Sequence, residues 1–142
     1  MNKSSRLSSP CYCGNLRKAS RALTHIYDAE ISQCGIPNTQ YTLLSHLRRL
    51  GPVTLHMLSE AMLLERTTLV RNLQLLVDQN LVEIQKDPPR PNIIQLTQKG
   101  LQIHDAGQPY WENAQSTVLE QLTDEERTVL DRVIQKLIAL AP

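Results

Sequence analysis

The reactive side chains of this sequence are concentrated in two short stretches. Between Glu65 and Asp78 stand Arg66, Thr67, Thr68, Arg71, Asn72 and Gln74, all hydrogen-bond donors, and arginine can grip two acceptors at once. The second stretch is Cys11-Tyr12-Cys13, two thiols one residue apart, followed by Arg17 and Lys18. A thiol at a helix N-terminus beside cations is favoured as the thiolate, the form that oxidants attack. The histidines at 25, 46, 56 and 104 show neither His-x-x-x-His spacing nor a close cysteine pair, so no metal site and no cofactor are expected. Cys-x-x-Cys, a glycine-rich phosphate loop and a paired acidic signature are also missing, which argues against an enzyme.

These groups need elements to carry them. Residues 1–10 are serine-rich, end in Pro10 and predict a disordered lead-in. From about Cys13 to Ser32, Leu16, Ala19, Leu23, Ile26, Tyr27 and Ile31 form one stripe of an amphipathic helix that ends at Gly35 and Pro37. Thr39 is expected to cap a helix through Tyr41, Leu44, Leu47 and Leu50, stopped by Gly51-Pro52. Thr54 caps the next helix, Leu55 to about Met62, with Leu55, Leu58 and Met62 inward. Glu65 to Asp78 keeps Leu69, Leu73, Leu76 and Val77 on one side, which turns its donors outward.

Leu81–Lys86 and Asn92–Thr97 then predict two strands around Asp87-Pro88-Pro89-Arg90-Pro91, a tip whose prolines cannot continue a ladder. Thr97 caps a long helix through Trp111, Ala114, Val118 and Leu122, with an interruption and a kink expected near Gly107 and Pro109. Thr123 and Glu126 make a capping box for a last helix whose Leu130, Val133, Ile134, Leu137, Ile138 and Leu140 form a wide apolar stripe.

Composition narrows the classes. A chain of 142 residues with 41% apolar and 4% aromatic residues suits one domain with an aliphatic, helical core. It holds no long apolar run, so no membrane span or signal peptide is expected, and a cytoplasmic protein is. Three cysteines are an odd number, which favours free thiols. The net charge of +1 gives no general attraction for phosphate. Basic groups gather in the first fifty residues, whereas residues 101–142 hold seven carboxylates against three basic groups, so any nucleic-acid contact must rest on a local patch.

Two short helices, the second with a donor-rich outer side, followed at once by a hairpin, make a winged helix-turn-helix. The fold expected is mainly α with a small β-hairpin wing and a helical dimerisation region drawn from both termini. The second helix suits a major groove, where arginine reads guanine and threonine reaches a phosphate or a thymine methyl. Arg66, Thr67, Thr68, Arg71 and Asn72 are the candidate DNA contacts, with Arg90 at the wing tip for a minor groove or phosphate. A solvated helix face is the plain alternative for each of them taken singly.

From Leu16 to about Gly107 the chain resembles the MarR family of bacterial regulators. The resemblance lies in Leu43-Leu44-Ser45-His46-Leu47, Leu58-Ser59-Glu60-Ala61, Glu65-Arg66-Thr67-Thr68-Leu69-Val70-Arg71-Asn72-Leu73, Leu81-Val82 and Leu96-Thr97-Gln98-Lys99-Gly100. It implies a homodimer knit from the first and last helices (11–36 and 101–142), with a DNA-binding lobe over 39–100 that reads a palindrome in double-stranded DNA. One departure is visible: where many relatives place further basic residues in the wing, this chain has Pro88, Pro89, Pro91 and Asn92, so its wing brings less charge. Asp87 is placed to hold Arg90, or the pair is merely solvated.

A regulator needs an input signal, and two are legible. Cys13 and Tyr27 keep the fourteen-residue separation found in the peroxide-sensing OhrR branch, with Cys11 or Cys34 as resolving thiol, although Asn38 stands where that branch has a second tyrosine. Cys34, next to Gly35, is otherwise a structural residue. The other input is a small aromatic or phenolic ligand in a pocket lined by His25, Tyr41, His46 or Trp111. Rival readings are a cysteine-based redox enzyme and a winged-helix module that binds protein rather than DNA.

Overall fold

The computed structural model describes residues 9–142. Six helices and a small sheet follow the expected order: α1 (Tyr12–Ile31), a 3₁₀ turn (Ser32–Cys34), α2 (Asn38–Leu50), β1 (Val53–Thr54), α3 (Leu55–Met62), α4 (Arg66–Asp78), β2 (Val82–Gln85), β3 (Ile93–Leu96), α5 (Gln98–Leu119) and α6 (Asp124–Ile138). Most of the disordered lead-in expected over residues 1–10 lies outside the described residues. Ser9 is anchored: its hydroxyl accepts from the Cys11 N–H at 3.1 Å and its carbonyl from the Asn15 amide at 2.8 Å.

The start of α2 differs from the expectation. Its N-cap is Pro37 rather than Thr39, and Pro37 has no side chain able to cap. The carboxylate of Asp28, from α1, accepts the Asn38 N–H at 3.1 Å instead, so the cap comes from a neighbouring helix. Thr54, by contrast, caps α3 by accepting from Met57 at 3.2 Å, and Thr123 with Glu126 completes the capping box of α6. Within α3 only Leu58 is fully buried, while Leu55 and Met62 are partly covered at the edge of the core.

Strand β1 was not legible as a strand, because two residues between Pro52 and a helix cap carry no alternation. It pairs with β3 through Val53 opposite Ile94, and β3 pairs with β2 through Ile84 opposite Ile94 and Val82 opposite Leu96, giving an antiparallel order β1-β3-β2. The core below it is aliphatic: Ile31, Leu43, Leu44, Leu47, Leu58, Leu69, Leu73, Leu76, Leu81 and Ile94 are buried around Tyr41.

Helix α5 is continuous from Gln98 to Leu119 and contains Pro109, so the interruption expected near Gly107 and Pro109 does not occur. Proline removes one helix hydrogen bond, and packing elsewhere along the helix offsets that loss. The glycines permit this packing. A Cβ on Gly107 would stand 2.5 Å from the Tyr41 ring, and one on Gly100 would stand 2.0 Å from the Leu81 carbonyl oxygen. Gly100→Ala gains helix propensity, yet it sets a methyl against rigid backbone. We expect a net loss of about 2 kcal/mol, read as a lower urea midpoint at unchanged slope. An unchanged midpoint would mean that α5 does not lie this close to Leu81.

Candidate nucleic-acid interface

The turn between α3 and α4 sets the angle at which α4 is presented. Leu63 adopts the left-handed region with φ 50°, the Leu64 N–H returns to the Ser59 carbonyl at 3.2 Å, and the Ser59 hydroxyl donates to the Leu64 carbonyl at 2.6 Å. One serine therefore clamps both ends of the turn. Helix α4 begins at Arg66 with no side chain capping it, so its first amides face outward with the positive end of the helix dipole.

The sides of α4 are sharply divided. Leu69, Leu73 and Leu76 are buried, whereas Arg66, Thr67, Val70, Arg71, Gln74 and Leu75 are exposed. Thr67, Val70, Arg71 and Gln74 fall at i, i+3, i+4 and i+7, which is one continuous outer stripe. Thr68 and Asn72, expected among the DNA contacts, are only partly exposed and lie on the flank, where their spacing from Leu69 and Leu73 turns them toward the body. The Gln74 amide donates to the Asp78 carboxylate at 2.8 Å, so the C-terminal end of the stripe is both occupied and acidic. Free donors are thus concentrated in the first two turns, at Arg66, Thr67 and Arg71. Sequence reasoning passed over Val70, because an apolar residue in a leucine-rich segment reads as core unless its place on the helical arc is worked out.

Arg90 lies at the wing tip, where its N–H bonds the Asp87 carbonyl at 2.9 Å and its guanidinium stands 3.9 Å from the Asp87 carboxylate. Both side chains are exposed, so this pair is loose and leaves the guanidinium accessible. Its reach from α4 is set by the hairpin, which the β2–β3 register holds in place.

A cavity of about 760 Å³ lies between α1, α2, α5 and α6. Tyr41, His46 and Trp111 line it, and His25 does not. On α1 the lining residues are Leu16, Ala19, Ser20, Leu23, Thr24 and Tyr27, and His25 falls off that stripe into solvent. His104 and the pair Arg48 and Arg49 were missed as lining groups. His104 is 8% exposed and stacks on Tyr41 with ring centroids 5.3 Å apart and planes at 8°. The Asp105 carboxylate stands between two neighbours, 3.2 Å from His104 Nδ1 and 3.8 Å from Arg48 Nε. Among the described residues, no carboxylate lines the cavity itself.

Burial pushes the phenols of Tyr27 and Tyr41 above the usual tyrosine value, with a Ser45 hydrogen bond opposing part of the shift at Tyr41. Both therefore remain neutral hydroxyls, and that of Tyr27 donates to Gln115 of α5.

Cys11 caps α1, its sulfur accepting from the Gly14 N–H at 3.4 Å, and both Cys11 and Cys13 are exposed thiols. Cys13 and Tyr27 share this one helix, and fourteen residues of helix span about 21 Å, so they cannot touch within a chain. Cys34 is partly buried and donates to the Ile31 carbonyl at 2.9 Å. Among the described residues there is no group of three or more potential metal ligands, and no helix is long and apolar enough to cross a membrane.

Comparison with known proteins accords with this geometry. The sequence model described as MarR family matches residues 35–90. The transcriptional regulator MosR of M. tuberculosis, solved in complex with DNA, is 30% identical, with 92% of this chain and 95% of that one covered and a TM-score of 0.81. A cysteine-to-serine mutant of E. coli MarR, complexed with operator DNA, is 19% identical over 86% of this chain and 89% of that one, with a TM-score of 0.79. BpsR of Bordetella bronchiseptica, whose DNA binding is regulated by 6-hydroxynicotinic acid, is 21% identical over 91% and 94%, with a TM-score of 0.81. No curated protein matches the chain in sequence. A winged helix-turn-helix with a donor-bearing α4, together with near full-length similarity to a DNA-bound regulator, places this chain in the MarR family of transcription regulators.

Proposed function

We propose that the chain is a repressor that binds a palindromic operator as a homodimer and is released by a small ligand. The observation that carries the DNA-binding half is the outer side of α4: Arg66, Thr67 and Arg71 stand exposed at its uncapped N-terminal end. In a major groove these side chains meet base edges while the helix amides meet phosphate. Arg90 on the wing adds one more cation. Thr68 and Asn72, on the flank of α4, reach phosphates rather than bases. MarR-family proteins regulate transcription, which sets aside the redox-enzyme alternative.

Arg71→Ala should cost about 1–3 kcal/mol of operator affinity and relax base preference at one position per half-site. Arg90→Ala should weaken all sequences alike and flatten the salt dependence. Fluorescence anisotropy across a salt series separates the two effects. Wild-type affinity in both variants would remove these residues from the contact surface and favour a protein-binding module.

Dimerisation is supported by α6. None of its residues is buried, and Val129, Val133, Leu137 and Ile138 are exposed apolar residues that do not line the cavity, as is Tyr12 at the start of α1. An apolar surface of this kind marks an interface, and the isologous contact of two copies covers it. The helices at 11–36 and 101–142 then form the dimer frame, and 39–100 the DNA-binding lobe. Leu137→Glu puts a charge on that surface without disturbing the core of one chain. It should raise the dimer dissociation constant by about tenfold or more, with a parallel loss of operator binding. A light-scattering mass still at twice the chain mass in dilute solution would contradict this interface.

The cavity supports release by ligand. Its volume is in the range of small-molecule sites, and its lining combines the Tyr41–His104 stack and Trp111 with His46, Arg48 and Arg49. That chemistry suits a small aromatic acid or phenol. Because the lining comes from α1 and α6 as well as α2 and α5, a ligand there can favour one spacing of the two lobes over another.

A second reading, release by oxidant, is favoured by the two exposed thiols at the start of α1. An organic hydroperoxide would oxidise the Cys13 thiol to a sulfenic acid and leave as the alcohol, and Cys11 is the nearest resolving thiol in sequence. Any Cys13–Tyr27 contact of the OhrR kind would need a second chain. Cys13→Ser should then keep operator binding and lose its release by cumene hydroperoxide, followed by gel shift. Equal release of wild type and variant would leave the cavity as the sole input.

A further inference from the structure

We infer that Val70 is a specificity-determining residue that reads the C5-methyl of a thymine in each half-site. This rests on the reading of α4 as the DNA-contacting helix. Val70 is 50% exposed, on the same outer stripe as Thr67 and Arg71, and it is not among the apolar residues packed against the core. A β-branched residue at a half-exposed helix position lowers helix propensity relative to alanine, and Val70 gains no place in the core in return. Its two methyl groups are held nearly rigid, since valine in a helix keeps one side-chain rotamer.

The side chains beside it and one turn away on α4 are polar, and Leu75, the other exposed apolar residue of the helix, lies further round its arc. Arg66 is one turn before it, Gln74 one turn after, and Thr67 and Arg71 lie beside it. The occupant must therefore be a polar surface that carries an isolated apolar spot. The major-groove edge of DNA is such a surface, with acceptors and donors on every base pair and one apolar group, the thymine C5-methyl. Flanking arginines match the acceptors and the phosphates, and the Gln74–Asp78 hydrogen bond confines base contact to the turns that include Val70. Val70 thus adds to the polar contacts a selectivity for thymine over cytosine or uracil at the position it faces.

The test removes that methyl from the DNA alone. A duplex is first selected from a randomised pool by the wild-type homodimer, and each symmetric pair of thymines in it is then replaced by deoxyuridine. One pair should cost wild type about fourfold per half-site, the equivalent of about 0.8 kcal/mol per buried methyl, and so about fifteenfold for the dimer. Val70→Ala should bind the thymine and deoxyuridine duplexes equally, while Glu120→Ala, at the end of α5, should keep the penalty. Val70 is exposed, so its variant is expected to fold, which an unchanged melting curve checks. Indifference of wild type to every deoxyuridine pair, or a penalty that persists in Val70→Ala, would overturn the assignment while leaving DNA binding by α4 intact. A chain that selects no duplex at all would overturn both together.

Discussion

The peptide of Leu81 is where the parts of this molecule are tied together. Its N–H bonds the Leu76 carbonyl at 2.9 Å and so closes the end of α4, and its carbonyl accepts from Thr97 at 3.1 Å and so closes the wing. The Thr97 hydroxyl donates to the Asn80 carbonyl at 2.6 Å and accepts from Gly100 at 3.0 Å, which starts α5 at the same place. Asn80 supplies the left-handed residue this turn requires, with φ 60°. Gly100 then lies directly against the Leu81 oxygen. Helix α4, the hairpin and α5 are thus tied together at one point.

Helix α5 leaves the Leu81 knot, passes the Tyr41 ring at Gly107, and carries His104, Gln108 and Trp111 into the wall of the cavity. Tyr41 and His46 bring α2 to the same wall, and α2 packs under the sheet and α4. In the proposed release by ligand, a change in the spacing of α1 and α6 against α2 and α5 would reach α4 through these packed side chains. The Asp105 carboxylate, shared between His104 and Arg48, links α5 to α2 at that wall. Coupling of that kind would be a shift between two arrangements, its size set by how differently a ligand binds them.

Much of this architecture is legible in one sequence, because helix faces, caps and turns are local. The stripes of α1, α4 and α6, the caps at Thr54, Thr97 and Thr123, and the proline-bounded wing all follow from spacing and turn chemistry. The misreadings share one cause, which is that a distant residue intervened. Asp28 caps α2 from another helix, β3 recruits Val53 and Thr54 as a third strand, and tertiary packing carries α5 through Pro109. His25 lies outside the cavity wall and Val70 went unremarked because membership of a face depends on which neighbour covers that face, and spacing alone does not name the neighbour.

The sequence by itself determined the class of fold, the donors carried by α4 and the surplus of apolar residues in the last helix, since each depends on residues within a few turns of one another. Only the tertiary structure decided which of those donors stand free, that Val70 shares their surface, that Cys13 and Tyr27 cannot meet within one chain, and that Tyr41, His104 and Trp111 line one cavity. The physical reason is that exposure and contact belong to pairs of elements. Periodicity orients a helix about its own axis, but packing decides what that axis lies against.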